Sequence, residues 1–598
     1  MRQDYLCEVR KPGQYIGGEW NVFSKPFEKA FITFALCFPD LYEVGMSNVG
    51  TRIIYDTLGR IDDVACERFF SPGMDLEHIL RTRHEGLASL ESGRRLGEFD
   101  CIGFCLSHEL NYTNVLNMLE LGNVPLLSEA RNAQDPLVIG GGPCTLNPEP
   151  LHAFFDAFVI GEGEEVVVEL MAVLRRYKTA FRESKMSREE LLKAFAGIEG
   201  VYVPSLYKVS YDEQGRLIEF APNTLGVPAV VKKRFVPDLE NTPYPTRWMV
   251  PYVQIIHDRA ALEIMRGCPN RCRFCQARTQ YFPYRVRTPE TVMRLAKELY
   301  RSTGYEEISL FGLSVSDYPG IEGLVESLID TFKEEAVSIS LPSIKPRLVA
   351  GRLSSLIARI KKTGLTFAPE AATQRLRSIL GKDFDEEGFF TVLQEAFAHG
   401  YQNIKLYFMI GLPSEEENDI EEIVQLGKRV SEARRKAVNR PARISLSVNA
   451  LIPRPHTPLQ WLRMEDRVHL QAKFAILKER TGRLRFNFSF HNLDMSFLEA
   501  VLARGDRRLS EVILHAFTHG ARFDAWQDMF RFDLWEEAFR ANRMSPDWYV
   551  RERHRQELLP WDFLDTGVSK STLRTEADAA GVLSDTAPST KSDCNSRR

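Results

Sequence analysis

The stretch that decides the fold is Met265-Arg266-Gly267-Cys268-Pro269-Asn270-Arg271-Cys272-Arg273-Phe274-Cys275, which places three cysteines within eight residues. It begins at the last residue of the strand-like run ALEIM at 261–265. In a βα barrel the loops after the strands build the active site, so this position favours a functional role. The chain has 598 residues and 10 cysteines, and those outside the triplet are too scattered to form a disulfide framework.

The number of cysteines in this loop indicates which metal group they hold. A structural zinc site takes four protein ligands, whereas three thiolates on a 4Fe-4S cluster leave one iron open to an outside ligand. A zinc site that recruits a distant ligand such as His257 is one alternative. A redox disulfide is another, although three cysteines do not make one pair. The spacing favours Cys268, Cys272 and Cys275 as ligands of an iron-sulfur cluster.

A CxxxCxxC triplet with an aromatic residue just before the last cysteine, on the strand that opens a βα barrel, resembles the signature of the radical S-adenosylmethionine (SAM) superfamily. The resemblance implies an enzyme in which SAM binds the open iron and is cleaved by one electron to methionine and a 5'-deoxyadenosyl radical. It further implies a 4Fe-4S cluster and SAM as cofactors. The expected partners are a substrate that the sequence does not name and a reducing protein such as flavodoxin or ferredoxin.

Later loops of the predicted barrel resemble the SAM-binding segments of this superfamily. The loop at 312–318 resembles the glycine-containing segment that meets the SAM amino group, Glu370 resembles the carboxylate that binds the ribose, and Gly411-Leu412-Pro413 resembles the turn beside the adenine. Ordinary turns and a solvated helix start are the alternatives. The SAM contacts that the resemblance implies are Phe274, Gly312, Ser314, Glu370, Gly411 and Leu412.

The order of apolar runs along the chain predicts an α/β fold class. Strand-like runs at 31–38, 100–106, 137–140 and 157–160 predict a Rossmann-like parallel sheet domain over residues 1–170. A helical and hairpin connector with a linker is expected at 171–250, followed by a partial (β/α)6 radical SAM barrel at 251–475. We expect its strands at 261–265, 307–312, 337–341, 365–368, 404–411 and 444–452. A mainly helical C-terminal region at 476–565 and a mobile tail at 566–598 complete the prediction.

The proline-rich segment at 448–458 resembles a subgroup in which a cobalamin-binding-like domain precedes the barrel. In that domain type a DxHxxG loop supplies a histidine to cobalt, but Tyr42 stands at the histidine position of the stretch at 40–45. A neutral phenol is a poor cobalt ligand. The alternatives are therefore cobalamin held without this histidine, and a vestigial domain that shapes the substrate entrance. The implied cobalamin contacts are Tyr42, Gly45, Ser107, Leu110, Gly140, Gly141 and Gly142.

Composition narrows the remaining function classes. Lys and Arg total 77 against 81 Asp and Glu, so there is no overall basic field to concentrate nucleic acid. No run of apolar residues is long enough to span a membrane, and we expect a cytoplasmic protein. The leading prediction is a radical SAM enzyme, with cobalamin-assisted methyl transfer as a candidate reaction. The alternatives are an RNA-modifying enzyme like the methylthiotransferases, and an iron-sulfur electron-transfer or sensing protein without catalysis.

Overall fold

The computed structural model describes residues 4–341, 364–484 and 486–582. Its N-terminal part is a six-stranded sheet with helices on both sides. The strands are β1 Ile32–Phe38, β2 Val64–Phe70, β3 Cys101–Cys105, β4 Leu137–Gly141, β5 Ala157–Val159 and β6 Val201–Tyr202. The helices are α1 Tyr42–Gly45, α2 Val49–Gly59, α3 Met74–Arg83, α4 Tyr112–Leu121, α5 Glu164–Arg182 and α6 Arg188–Ala196.

The order of strands in this sheet is β2-β1-β3-β4-β5-β6, with the first five parallel and β6 antiparallel to β5. The predicted parallel sheet is therefore confirmed. Sequence reasoning missed β2, because the charged pair Glu67 and Arg68 interrupts its apolar run. Both side chains are buried, and Arg68 is neutralised by ion pairs with Glu19 at 2.7 Å and Glu91 at 2.6 Å.

The predicted boundary at residue 170 does not separate two structural units. Helix α5 crosses it, and β6 returns to the same sheet from residues that we assigned to the connector. The predicted hairpin is present, with β7 Tyr207–Tyr211 antiparallel to β8 Leu217–Pro222. The N-terminal unit thus extends to about residue 202, where β6 ends.

The second part is a barrel-like arrangement of parallel strands and helices. Its strands and the short strands beside them are β9 Val231–Lys232, β10 Ala260–Glu263, β11 Met265–Arg266, β12 Arg285–Val286, β13 Glu307–Phe311, β14 Ser338–Ser340, β15 Leu365–Glu370, β16 Asn403–Ile410, β17 Arg443–Ala450 and β18 Asn487–Phe490. Strands β10, β13 and β14 form one parallel sheet, and β15 to β18 form a second. All six predicted barrel strands are present. A seventh, β18, lies beyond the predicted end at 475, within the segment that we expected to be helical.

The barrel helices lie outside these strands. They are α7 Ala277–Gln280, α8 Pro289–Thr303, α9 Ile321–Thr331, α10 Gln374–Leu380, α11 Glu386–Ala398, α12 Glu417–Val438 and α13 Arg467–Leu484. Helix α8 forms for the reasons that its sequence gives. The Thr288 side chain caps its first turn by accepting from the Thr291 N–H, Pro289 fits the first position, and the predicted apolar face is buried.

The C-terminal region is mainly helical, as predicted. Its helices are α14 Leu493–Ala503, α15 Leu509–Thr518, α16 Phe532–Ala541, α17 Asp547–Val550 and α18 Lys570–Ala579, with β19 Leu564–Asp565 paired to β9. Helix α18 corrects the prediction of a mobile tail from residue 566. Ser569 caps it, and its Leu573 and Ala577 are buried in an apolar cluster with Trp461 and Trp561. Residues 583–598 of the predicted tail lie outside the described residues. None of the described helices is long and apolar enough to cross a membrane.

Candidate cluster site and interdomain cavity

The three cysteines lie in the loop between β11 and α7, at the carboxyl end of the first barrel strand. Gly267 opens this loop with a φ of 84°, and a Cβ there would lie 2.7 Å from the carbonyl oxygens of Tyr281 and Pro283. Only glycine fits such a position without displacing backbone. The turn therefore packs tightly against the residues after α7, and all three cysteines are partly exposed.

The surroundings of two of the thiols, Cys272 and Cys275, oppose their ionisation. Burial raises the pKa of Cys272 to about 11, with the charge of Lys382 acting in the opposite direction. Burial also raises the pKa of Cys275, against the effect of backbone hydrogen bonds from Ala277 and Arg278. Metal binding must therefore displace protons from Cys272 and Cys275. Three soft sulfur donors in one loop are the donor set that an iron-sulfur cluster requires, so the residues fit such a group.

Polar side chains fix the first cysteine against the loop after β13. The Asn270 amide donates to Cys268 Sγ at 3.3 Å and to Asp317 Oδ2 at 2.8 Å. Ser314 Oγ donates to the same Asp317 oxygen at 2.6 Å. The predicted contact Ser314 thus lies beside the cysteine loop, bridged to it by Asn270.

Glu370 is the second predicted residue that the structure brings to the cysteines. It ends β15, and its carboxylate faces Lys382 Nζ at 3.4 Å. Burial raises the pKa of Glu370, and Lys382 opposes that shift. The charges of both residues also act on Cys272. A carboxylate and an ammonium therefore lie next to the loop that presents the thiols.

The other predicted SAM contacts lie in turns and apolar packing around this loop. Gly411 has a φ of 79° and its N–H donates to Glu415 Oε2 at 2.8 Å. Phe274 and Leu412 belong to the apolar cluster of Trp461 and Trp561. A Cβ at Gly312 would lie 2.3 Å from Met265 Cγ, so glycine permits close packing of two strand ends. These positions remain predicted SAM contacts.

A cavity of about 290 Å³ lies between the N-terminal sheet and the barrel. Apolar side chains of α2 and α5 form one wall and the carboxyl ends of β1, β3 and β4 form another. A parallel sheet with the order 2-1-3-4-5 has its topological switch point between β1 and β3, where ligands bind in such folds. The cavity therefore occupies the expected crevice.

Two of the predicted cobalamin contacts, Gly141 and Gly142, line this cavity. A Cβ at Gly141 would meet nothing within 4 Å, so the position opens directly onto the empty space. Gly140 does not line the cavity, because it packs against Leu106 and Phe158. The structure thus separates three adjacent glycines that the sequence analysis treated alike.

The remaining predicted contacts, Tyr42, Gly45, Ser107 and Leu110, do not line the cavity. Tyr42 is buried in the core instead, where its hydroxyl donates to Glu19 Oε1 at 2.8 Å and its ring packs edge-on against Phe70. Burial raises the pKa of Tyr42, so the hydroxyl remains a donor. Tyr42, which stands at the histidine position, therefore makes a structural hydrogen bond to Glu19 in the core.

A buried charge network that lines part of the cavity was not predicted. Arg266, two residues before Cys268, pairs with Glu263 at 3.0 Å, with Glu164 at 2.7 Å and with Glu162 at 3.0 Å. Glu162 also pairs with Arg285 at 2.6 Å. The glutamates come from both the Gly-Glu-Gly-Glu loop at 161–164 and the barrel. Sequence showed that loop but not its partners, which lie about a hundred residues away.

Two family models match the chain. The model described as the radical SAM superfamily matches residues 262–427, and the model described as radical SAM proteins, N-terminal, matches residues 50–204. The chain belongs to the radical SAM superfamily. This radical SAM chain is accordingly an enzyme, which decides against an electron-transfer or sensing protein without catalysis.

The relatives of this radical SAM enzyme differ in how much of the chain they share. The uncharacterized protein MJ0966 of Methanocaldococcus jannaschii is 28% identical over 80% of this chain and 90% of its own length. A tRNA-2-methylthio-N(6)-dimethylallyladenosine synthase of Staphylococcus epidermidis is 27% identical over 30% of this chain and 36% of its own length. The solved radical SAM methyltransferase TsrM of Kitasatospora setae, with cobalamin and a 4Fe-4S cluster bound, has a TM-score of 0.46 and 14% identity, covering 70% of this chain and 74% of TsrM.

Proposed function

We propose that Cys268, Cys272 and Cys275 hold a 4Fe-4S cluster with which this enzyme cleaves SAM, and that cobalamin in the interdomain cavity assists methyl transfer to a substrate. One observation carries the proposal: the cysteine loop and the cavity share their boundary. Arg266 stands two residues before Cys268, Tyr281 follows α7, and both line the cavity. A ligand in the cavity is therefore close to the cluster loop.

When bound, the cluster would supply the electron that cleaves SAM to methionine and a 5'-deoxyadenosyl radical. The protein residues orient these groups and exclude water. The Glu370 carboxylate is held by Lys382 at the end of β15 and is available to accept hydrogen bonds from the ribose hydroxyls. Asn270 holds Cys268 in place from the side of Ser314. Gly411 has no side chain and adopts a positive φ that glycine reaches without strain, so the backbone of the turn after β16 can approach the adenine.

The cavity has the features expected for part of a cobalamin. Its apolar wall of α2 and α5 side chains and a volume of about 290 Å³ suit a flat aromatic base rather than the whole cofactor, with the charged residues Glu162, Glu164 and Arg266 on the side of the barrel. The open space at Gly141 gives the ligand room against backbone. Of the described residues that line the cavity none is a histidine. Cobalamin bound here therefore takes no imidazole from that lining.

The inner face of the barrel offers a place for the substrate. Along β16 and β17 the side chains facing the helices are buried, while Tyr407, Ser447 and Asn449 alternate with them on the other face and stay accessible. A face of hydroxyl and amide groups favours a substrate that accepts and donates hydrogen bonds. Radical SAM enzymes need an electron donor, for which we propose a protein such as flavodoxin or ferredoxin.

The proposal is tested by anoxic purification with cobalamin supplied, followed by analysis of iron, sulfide and cobalt. We expect about four irons per chain together with cobalt, and formation of 5'-deoxyadenosine after reduction with dithionite. Cys272→Ser should lose the cluster and the product, whereas Cys7→Ser, at an exposed cysteine outside the loop, should retain both.

Three results would count against the proposal. Zinc in place of iron, or a reduced cluster that leaves SAM intact, would refute radical chemistry at this loop. Iron without cobalt would refute the cobalamin assignment alone. Retention of RNA on a low-salt column, with release as the salt concentration rises, would favour the RNA-modifying alternative.

A further inference from the structure

Helix α18 makes a direct polar contact with α7, the short helix that follows the cysteine loop. Arg278 lies three residues after Cys275, and its guanidinium donates to both carboxylate oxygens of Glu576 at 2.6 and 2.9 Å. The two side chains are only 9% and 18% exposed. A two-pronged arginine-carboxylate pair fixes orientation as well as distance. The first turn after the cysteines is thus oriented by a residue near the end of the chain.

Apolar contacts reinforce this pair. Leu573 and Ala577 are four residues apart, so they lie on the same face of α18. Both are buried in the apolar cluster that also contains Phe274, the residue immediately before Cys275. The inner face of α18 therefore packs against the side of the cysteine loop that Phe274 occupies.

The segment that leads into α18 is tied to the same loop. The Lys233 ammonium donates to the carbonyl oxygens of Thr279, Gln280 and Phe282, at the end of α7. The backbone N–H of Lys233 donates to the Asp565 carbonyl at 2.8 Å, beside the pairing of β9 with β19. Glu576 therefore holds the start of α7 through Arg278, and Lys233 holds its end. Both residues belong to, or pair with, the C-terminal segment.

Charge around the cysteine loop makes Glu576 the compensating group. Burial alone would raise the pKa of Glu576, but the hydrogen bond and charge of Arg278, with the charges of Arg271 and Arg273, lower it. The carboxylate is therefore ionised at neutral pH. It offsets positive charge on three arginines that lie within or directly after the cysteine motif.

We propose that Glu576 is a positioning residue for the cluster. Through Arg278 it holds the cysteine loop in shape, and α18 covers that side of the loop against solvent. The C-terminal helix thereby sets both the persistence of the cluster and its reduction potential. This inference rests on the proposed function in taking Cys268, Cys272 and Cys275 as the cluster ligands.

The matched pair of variants is Glu576→Gln and Asp578→Asn, made in the full-length protein. Asp578 lies on the same helix and pairs with Arg555 at 2.6 Å, so both variants remove one carboxylate charge and one ion pair from α18. Of the two carboxylates, Glu576 is the one that pairs with Arg278, directly after the cysteine loop. Deletion of residues 567–598 removes α18, whereas deletion of residues 585–598 keeps it, so the two deletions together test whether α18 protects the cysteine loop from solvent.

We expect Glu576→Gln to lose the visible absorbance of the cluster several-fold faster in air than the wild type. Its reduction potential should shift to a more positive value, because arginine charge left uncompensated favours the reduced cluster. Glu576→Asp should recover part of both effects, and Asp578→Asn should match the wild type. Removing residues 567–598 should accelerate cluster loss further, whereas removing 585–598 should not.

Limited trypsin digestion of the cluster-free protein provides a readout that needs no cofactor. Cleavage after Arg271, Arg273 and Arg278 should be several-fold faster in Glu576→Gln than in Asp578→Asn, at equal melting temperature. If Glu576→Gln unfolds, Arg278→Lys serves instead, because it keeps the charge and loses the two-pronged contact. Equal cleavage, equal cluster lifetime and equal potential in the two matched variants would overturn the inference. Wild-type protein without a cubane would overturn the proposed function, and the trypsin comparison would then decide the role of Glu576.

Discussion

Glu370 shows how a single residue is placed for function by its backbone. It has a φ of 65°, a left-handed conformation that residues other than glycine seldom adopt. The register between β15 and β16 shifts between Phe367 and Glu370, which marks an irregularity at the strand end. Such irregularities re-aim side chains beside active sites. The position therefore directs a carboxylate toward Lys382 and the cysteine loop at the cost of local backbone strain.

Replacing Glu370 by glutamine should weaken SAM binding without removing the cluster. A hydrogen bond to a charged acceptor contributes about 1.5–3 kcal/mol, so we expect affinity for SAM to fall by roughly ten- to a hundredfold. Equilibrium dialysis of SAM against the reconstituted variant measures this, with iron content as the internal check. Glu387→Gln, in the first turn of α11, is the control because that residue is exposed. Unchanged SAM affinity would remove Glu370 from the binding site.

The role of a residue can be predicted from sequence when it depends on neighbours in the chain, and not when it depends on distant partners. The three cysteines could be assigned because their spacing is local and their chemistry is specific. Arg266 could not, because its glutamate partners Glu162 and Glu164 lie about a hundred residues earlier and a single arginine in a loop carries no signal. Tyr42 was recognised as a departure from the histidine pattern. Its bond to Glu19 depends on a partner that only the folded chain brings near.

At the scale of secondary structure, the cavity is a consequence of strand order. Helices α2 and α5 contact each other, and side chains of both line the cavity at the switch point between β1 and β3. The glycines at 140–142 have different surroundings and therefore different roles. Gly140 packs into the core, whereas Gly141 leaves its side-chain direction free for a ligand.

Filling this space should prevent cobalamin binding selectively. Gly141→Leu places a side chain into the cavity without a backbone clash, since a Cβ there meets nothing within 4 Å and the φ of Gly141 is not positive. We expect cobalt content to fall to background while iron content and SAM cleavage persist. Gly323→Leu, at an exposed glycine of α9 with equal free space, is the matched control. Full cobalt content in Gly141→Leu would show that cobalamin binds elsewhere or not at all.

The elements that sequence predicted share one property, which is an uninterrupted apolar period. Helix α8 has a cap, a first-turn proline and a clean apolar face, and each was found as predicted. Strand β2 was missed because its buried Glu67 and Arg68 depend on tertiary partners: Arg68 pairs with Glu19 and Glu91, and Glu67 accepts hydrogen bonds from Ser89 and Ser92. Strand β18 is short and stands next to a long helix, so it was assigned to the helical region. Helix α18 is polar on most of its surface, and its two buried residues gave too weak a pattern.

The whole molecule is held together by contacts between distant parts of the chain. The segment before α16 packs on the N-terminal sheet domain. The Phe523 N–H donates to the Asn114 amide oxygen, and the Trp526 indole donates to Asp40, both at 2.9 Å. Asp524 lies between them, fully buried, and accepts from Thr113 at 2.7 Å and from the Trp535 indole at 3.0 Å. A carboxyl group thus links the first domain to the last helices.

Protonation of Asp524 should make the stability of this assembly depend on pH. Burial raises the pKa of Asp524 from 3.8 to about 6, although hydrogen bonds from Trp535 and Thr113 act in the opposite direction. Between about pH 4 and pH 6 the folded protein therefore holds a proton that the unfolded chain has lost, so stability falls as the pH rises through this window. Above about pH 6 the loss of folding free energy that results from the ionised Asp524 is constant, at about 3 kcal/mol for a pKa shift of this size.

Asp524→Asn removes this titration and keeps the shape. The amide oxygen can still accept from Trp535 and the amide NH2 can donate to the Thr113 hydroxyl oxygen, so the side chain keeps a hydrogen bond to each of its two partners. We expect the variant to be more stable than the wild type at pH 8 by up to about 3 kcal/mol, with the difference shrinking as the pH falls toward 4. Urea midpoints measured from pH 5 to pH 8 test this, with Asp528→Asn, at an exposed carboxylate of the same segment, as the control. Parallel stability curves for wild type and Asp524→Asn would mean that Asp524 is ionised in the folded protein and that the interface between the terminal regions carries a buried charge.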